Sequence, residues 1–223
     1  MLKSLPAPCD RAGQRQYRAK KHVGYVFRDS RKTYPTCFSY DPAVPSPVGH
    51  GLAALAVGWA VAGRATTRNA AWAQAATLVA VGVAPDLDLL WGRHSAETHS
   101  IGAAAIVASI AMWRRWPVAA TPWRIWLAVF LAWCSHPLLD ALGRDGTPPL
   151  GVMAFWPFST DYMLFPTRIF DAITRRYWED DFIVHNLVAV GKELLILAPI
   201  AMATWALRRL NTSAGLKTGR SIQ

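Results

Sequence analysis

Five apolar runs, each closed by an arginine, a proline or a polar connector, set the limits on what this chain can fold into. They are "HGLAALAVGWAVAG" (50–63), "AAWAQAATLVAVGVA" (70–84), "IGAAAIVASIAMW" (101–113), "WRIWLAVFLAWCSHPLLDAL" (123–142) and "LVAVGKELLILAPIAMATWAL" (187–207). A bilayer core of roughly 30 Å needs about 20 apolar residues, with a lower limit near 17. Only the last two runs reach that length. The first three are 13 to 15 residues long and Ala-rich. They suit short spans extended by flanking residues, or buried helices of a soluble bundle. Small residues allow close helix packing in both cases. The expectation is an all-α, polytopic helical membrane protein with about five short membrane helices. The domain proper covers 44–210, between a basic tail at 1–43 and a cytoplasmic tail at 211–223.

Composition supports the membrane over the soluble alternative. Hydrophobic residues make up 52% of the 223, charged residues 17%, and there are 11 Trp, an unusual mixture for a soluble domain. The net charge of +10 raises nucleic acid as a partner. The basic residues, however, lie in an unpatterned tail and in loops beside the apolar runs, so no nucleic acid is expected. Cys9, Cys37 and Cys134 form no ligand-spaced pair, which leaves no disulfide framework or Cys-based zinc site.

The charge distribution also orients the helices. Arg64 and Arg68, then Arg114, Arg115 and Arg124, then Arg208, Arg209, Lys217 and Arg220 fall on connectors that share one side in a five-span arrangement. The positive-inside rule makes that side cytoplasmic. It places the start of the first run, and the second and fourth connectors, outside. The tail contradicts this, with nine Lys and Arg against three Asp before residue 44. It lacks an apolar h-region with a cleavage site, so it does not read as a secretory signal, and its composition suits a disordered segment. Initiation at Val44, from a GTG codon decoded as Met, removes the contradiction.

The potential ligands gather on the outer side, so a metal site is expected at one end of the bundle. His50 opens the first run. Asp86 and Asp88 in "PDLD", and His94, Glu97 and His99 in "HSAETHS", occupy the second connector. His136 and Asp140 in "SHPLLD" end the fourth run. Ionisable groups at membrane depth are costly and need partners or a metal. The spacing of His136 and Asp140 stacks both on one helix face, with Pro137 implying a kink or local helix start; a His–Asp pair capping the helix end is the plainer alternative. Alternation in an extended "PDLD" puts both carboxylates on one side, able to share or bridge metals, whereas capping Asp residues are common at helix starts. His94 alone reads as a solvated loop residue. His22, in the tail, is set aside. His185 and Glu193 read first as structural, with extra ligands as the alternative.

These motifs in this order resemble the YdjM-type family of inner-membrane metal-dependent hydrolases, from about residue 46 to 207. The anchors are the early His, the "PDxD" connector, the "HRxxTHS"-like stretch, the "SHxxxD" helix end and the segment "TPPLGVMAFWPFS" at 147–159. Ser95 stands where family members often carry Arg, which puts a phosphate-clamping role there in doubt. A more distant likeness runs to the helical domains of zinc-dependent phospholipase C and single-strand nucleases. The resemblance implies a membrane-bound hydrolase of the bacterial inner membrane, acting on an ester or phosphoester. A lipid substrate is plausible because the site opens near headgroups. The expected ligands are His50, Asp86, Asp88, His94, His99, His136 and Asp140, with Glu97 or the spare Asp (Asp88) as base. The expected cofactor is a divalent metal, zinc first and then manganese or magnesium. The rival readings are a metal site that only ties helices together, and, ranked last, an ion-coupled transporter.

Overall fold

The computed structural model describes residues 45–91, 95–143, 150–174, 177–178 and 180–218, without the side chains of Trp91 and 211–218. The tail with its Val44 start, and His94, lie outside them. Five α-helices form where the apolar runs predict: α1 (Pro47–Ala62), α2 (Arg68–Val83), α3 (Ile101–Trp113), α4 (Pro122–Leu142) and α5 (Phe182–Thr218). Two 3-10 segments, Ala84–Trp91 and Glu97–His99, link α2 to α3. Among the described residues only two isolated β-bridges interrupt the all-helical pattern.

Local chemistry sets the helix starts. Ser46, Thr67 and Ser100 cap α1, α2 and α3 by accepting from Gly49, Ala70 and Ala103 N–H, which satisfies donors that have no partner in a first turn. Pro47 and Pro122 occupy first-turn positions, where a missing N–H does no harm. Pro137 lies inside α4, which continues through it to Leu142.

The helices pack through small residues, as short Ala-rich runs require. Ala104 and Ala108 of α3 and Ala128 and Ala132 of α4 are fully buried ridges four residues apart. Between α1 and α2, Gly82 sits so close that a Cβ there would collide with the Ala54 Cβ and lie 2.9 Å from the His50 carbonyl oxygen. The central pair is α1 and α4. α5 packs on α1, α3 on α4, and α2 on both α1 and α4.

Three helical stretches are long and apolar enough to cross a membrane: Arg68–Leu90, Pro122–Leu142 and Phe182–Leu210; α1 and α3 are shorter apolar helices. The outer faces carry exposed Ile106, Ile110, Leu187, Leu195 and Met202, the kind of apolar surface that marks a membrane or protein contact. The arginine end is organised differently. Arg208 lies over Trp59, Arg114 over Trp113, Arg124 over Trp123 and Arg209 over Trp205. Such stacks place an apolar ring and a charged head at one level, as at a membrane interface. Buried Gln74 ties this end together, donating to the carbonyls of Gly63 and Val118 and accepting from Arg208.

Candidate metal centre

The other end of the bundle gathers the acids and imidazoles. Ser46 and Pro47 start α1 so that His50 falls in its first turn. The 3-10 segment after α2 carries Asp86 and Asp88, the short turn before α3 carries His99, and the last turns of α4 carry His136 and Asp140. From Trp123 to Asp140 the axial rise of α4 is about 26 Å, so the cluster lies nearly one hydrocarbon thickness from the Arg–Trp end.

His50, His99 and His136 are fully buried, and Asp88 and Asp140 nearly so; the Asp86 side chain keeps 14% exposure. His99 Nε2, His136 Nε2 and Asp140 Oδ2 form a near-equilateral triangle with edges of 3.2, 3.3 and 3.3 Å. Asp86 Oδ1 stands 3.4 Å from His136 Nε2 and 3.8 Å from His99 Nε2. His50 Nε2 is 3.3 Å from the other Asp140 oxygen, Oδ1, and its ring stacks on His136 with centroids 3.6 Å apart. Two overlapping groups have the spacing to hold a metal ion: His50, His136 and Asp140, and Asp86, His99 and His136.

The fit to a cation rests on two observations. Both oxygens of Asp140 and both ring nitrogens of His50 are buried without a hydrogen-bond partner, although buried polar groups are normally bonded. Their neighbours stand at ligand spacing and not in hydrogen-bonding geometry. The outward nitrogens of the other imidazoles are already fixed. His136 Nδ1 donates to the Gly82 carbonyl at 2.7 Å, leaving the Nε2 lone pair facing the cluster. His99 Nδ1 meets Asp88 Oδ2 at 3.1 Å, and the Thr98 hydroxyl donates to the same oxygen at 2.6 Å. Metal-binding histidines are oriented by carbonyls and carboxylates in this way. Burial alone would push the His99 pKa down, but the carboxylates of Asp140, Asp86 and Asp88 hold it well above its ordinary value. The same negative field attracts a cation.

The two "PDLD" carboxylates do not share a side. Pro85–Asp88 lies in a 3-10 segment, not the extended strand that alternation assumes. At about three residues per turn, positions two apart point away from each other. Asp86 therefore faces the ligand cluster while Asp88 approaches His99 from its Nδ1 side. Glu97, half-buried, opens the turn that carries His99. His185 lies apart, its Nε2 2.8 Å from the Ala172 carbonyl.

Two contributors, Gly82 and Thr98, were not read as such in the sequence, and a third, Glu193, was read first as structural. Gly82 supplies the carbonyl that orients His136, and the only trace of it is a small residue four positions before Asp86. Thr98 fixes Asp88. Glu193 of α5, fully buried, accepts from Ser46 N–H at 2.7 Å and from the Ser46 hydroxyl, holding the start of α1 one turn from His50. Residues 150–170 are tied to the helix ends that carry the cluster. Ile101 and Gly102, at the start of α3, donate to the Ala154 and Trp156 carbonyls, Met153 donates to Ser95, and Val152 pairs with Met163.

A buried His/Asp centre at one end of an apolar helical bundle defines a helical membrane protein with a candidate metal site. The profile of the family described as YdjM inner membrane protein matches residues 46–214, and the chain belongs to that family. Comparison with curated proteins and with solved structures returned no match, so the distant likeness to phospholipase C and single-strand nuclease domains gains no support from either.

Proposed function

We propose that the chain is a membrane-bound, metal-dependent hydrolase of esters or phosphoesters, with its site at the periplasmic end of the bundle. The observation that carries this reading is the triangle of His99, His136 and Asp140, with edges of 3.2 to 3.3 Å beside a partly exposed Asp86. Tetrahedral ligands at zinc distances stand about 3.3–3.6 Å apart, whereas octahedral neighbours around magnesium stand about 2.8–3.0 Å apart. The spacing favours zinc. His136 Nε2 belongs to both ligand groups and has a single lone pair, so one tightly held ion per chain is expected.

A bound divalent ion supplies Lewis acidity toward the ester oxygen and acidifies the attacking water. His99, His136 and Asp140 would hold the ion, with His50 Nε2 3.3 Å from the second oxygen of Asp140 and available as a further ligand. Asp88 with Thr98, and the Gly82 carbonyl, keep the two imidazoles in register. Asp86 has the loosest spacing and the most access to solvent, which suits it to accept the proton of the attacking water. The water oxygen bonds to the carbonyl carbon or phosphorus as the ester C–O or P–O bond breaks. The leaving oxygen takes the proton from Asp86, giving an acid and an alcohol. The Arg–Trp end at the opposite side supports a periplasmic site through the positive-inside rule.

A structural metal is the second reading, favoured by the complete burial of the three histidines, since closed sites are structural and open ones catalytic. Metal analysis of purified wild type, His136→Ala and Asp140→Ala, followed by a screen of phosphoesters and lipid esters, tests both. Wild-type metal content in both variants would remove the proposed centre. Metal without turnover on any ester would select the structural reading.

A further inference from the structure

α2 and α3 both pack on α4 but not on each other. A groove of about 550 Å³ occupies the gap, with Ala76, Thr77, Ala80 and Ala84 along one wall, Val107 on the other and Trp133 among its lining residues. Ala76 to Ala84 covers about 12 Å of helix. The groove runs toward the metal centre without being lined by any of its acids or imidazoles. Ala84 precedes Asp86 by two residues, Val81 adjoins Gly82, and Trp133 lies one turn before His136. The Trp133 indole also donates to the Thr98 carbonyl at 2.7 Å, and Thr98 holds Asp88. On the same stretch of α3, Ile106 and Ile110 are exposed, so this wall faces hydrocarbon.

We infer that the groove holds an acyl chain of a membrane lipid whose ester or phosphoester group is presented to the metal centre. An apolar opening at membrane depth has no water to fill it, and an empty one forfeits its dispersion contacts; the chains of the surrounding lipid supply them. The inference rests on the hydrolase reading and gives it a substrate class.

Ala80→Trp fills the groove without touching the proposed ligands, and Ala80→Leu is the milder companion. Both are assayed in detergent and in phosphatidylglycerol vesicles, with bound lipid measured by native mass spectrometry. The rate on phosphatidylglycerol is divided by that on p-nitrophenyl butyrate or p-nitrophenyl phosphate. The expected result is at least a tenfold fall in bound lipid and in that ratio for Ala80→Trp, a smaller fall for Ala80→Leu, and unchanged metal content. Wild-type lipid binding and an unchanged ratio in both variants would overturn the inference, as would a change from dimer to monomer in place of lipid loss. Lipid loss in Ala80→Trp with neither substrate cleaved by wild type would instead sink the hydrolase reading and leave only a lipid-holding groove.

Discussion

Asp88 separates a ligand from a group that holds a ligand. Its carboxylate is nearly fully buried and takes two contacts at one oxygen, His99 Nδ1 at 3.1 Å and the Thr98 hydroxyl at 2.6 Å. Removing it leaves all of the cation-facing atoms in place but frees the imidazole to rotate and lowers its basicity. Loss of such an orienting partner typically weakens metal binding 10–100-fold, or about 1.4–2.7 kcal/mol. Asn keeps one acceptor and Ala keeps none, while Asp140→Ala removes an oxygen within 3.3 Å of two imidazoles. Zinc affinity is therefore expected to fall in the order wild type, Asp88→Asn, Asp88→Ala, Asp140→Ala, with the two Asp88 variants still binding one ion per chain. Competition against a chromogenic chelator on detergent-purified protein measures the series, and a thermal melt of each ion-free variant checks that it is folded. Asp88→Ala binding as weakly as Asp140→Ala would make Asp88 a ligand and refute the reasoning. Wild-type affinity in Asp88→Ala would refute it from the other side.

Gly82→Ala places a methyl against Ala54 and the His50 carbonyl. It should cost about 1–3 kcal/mol by overpacking and lower zinc affinity together with thermal stability; a variant as stable and as tight-binding as wild type would contradict the close α1–α2 contact. Chelating the metal should lower the melting temperature of wild type, since an ion held at 1,000 times its Kd contributes about 4 kcal/mol, and should leave Asp140→Ala unmoved. At the far end, Gln74→Leu strands the Gly63 and Val118 carbonyls and removes an acceptor of Arg208. It should cost about 1–3 kcal/mol with the metal content of the folded fraction unchanged, read by thermal melts beside elemental analysis.

Much of this architecture is legible in the sequence because helix ends and metal chemistry both use few residue types. The five apolar runs become five helices with boundaries shifted by up to five residues at their starts, and "SHPLLD" does stack His136 and Asp140 on one face. The error at "PDLD" has a plain cause. Proline ends α2, but the chain tightens into a 3-10 segment where it was read as extended, and a change of period from two to three reverses the facing of one Asp. Gly82 escaped because its contribution is a backbone carbonyl, which carries no side-chain signature. What fixes residues 150–170 is main-chain hydrogen bonding to the start of α3 and the end of α4, which no side-chain pattern encodes.

Glu193 and Asp140 show two answers to the same electrostatic problem. Both are acids buried within apolar helices, where an unmatched charge is costly. Glu193 is met by the first turn of α1, through the Ser46 amide and hydroxyl, so hydrogen bonds at a helix N-terminus offset part of its burial cost. Asp140 has no such turn. Among the described residues its ion-pair partners are the three histidines, two of them also facing Asp86. Neutral imidazoles do not offset two carboxylates, and charging them crowds like charges on rings 3.6 and 4.8 Å apart. A divalent cation balances the two facing acids and keeps the imidazoles neutral, with their lone pairs in use. The buried cluster is therefore balanced as a ligand set, and the helix ends that assemble it would gain packing from such an ion.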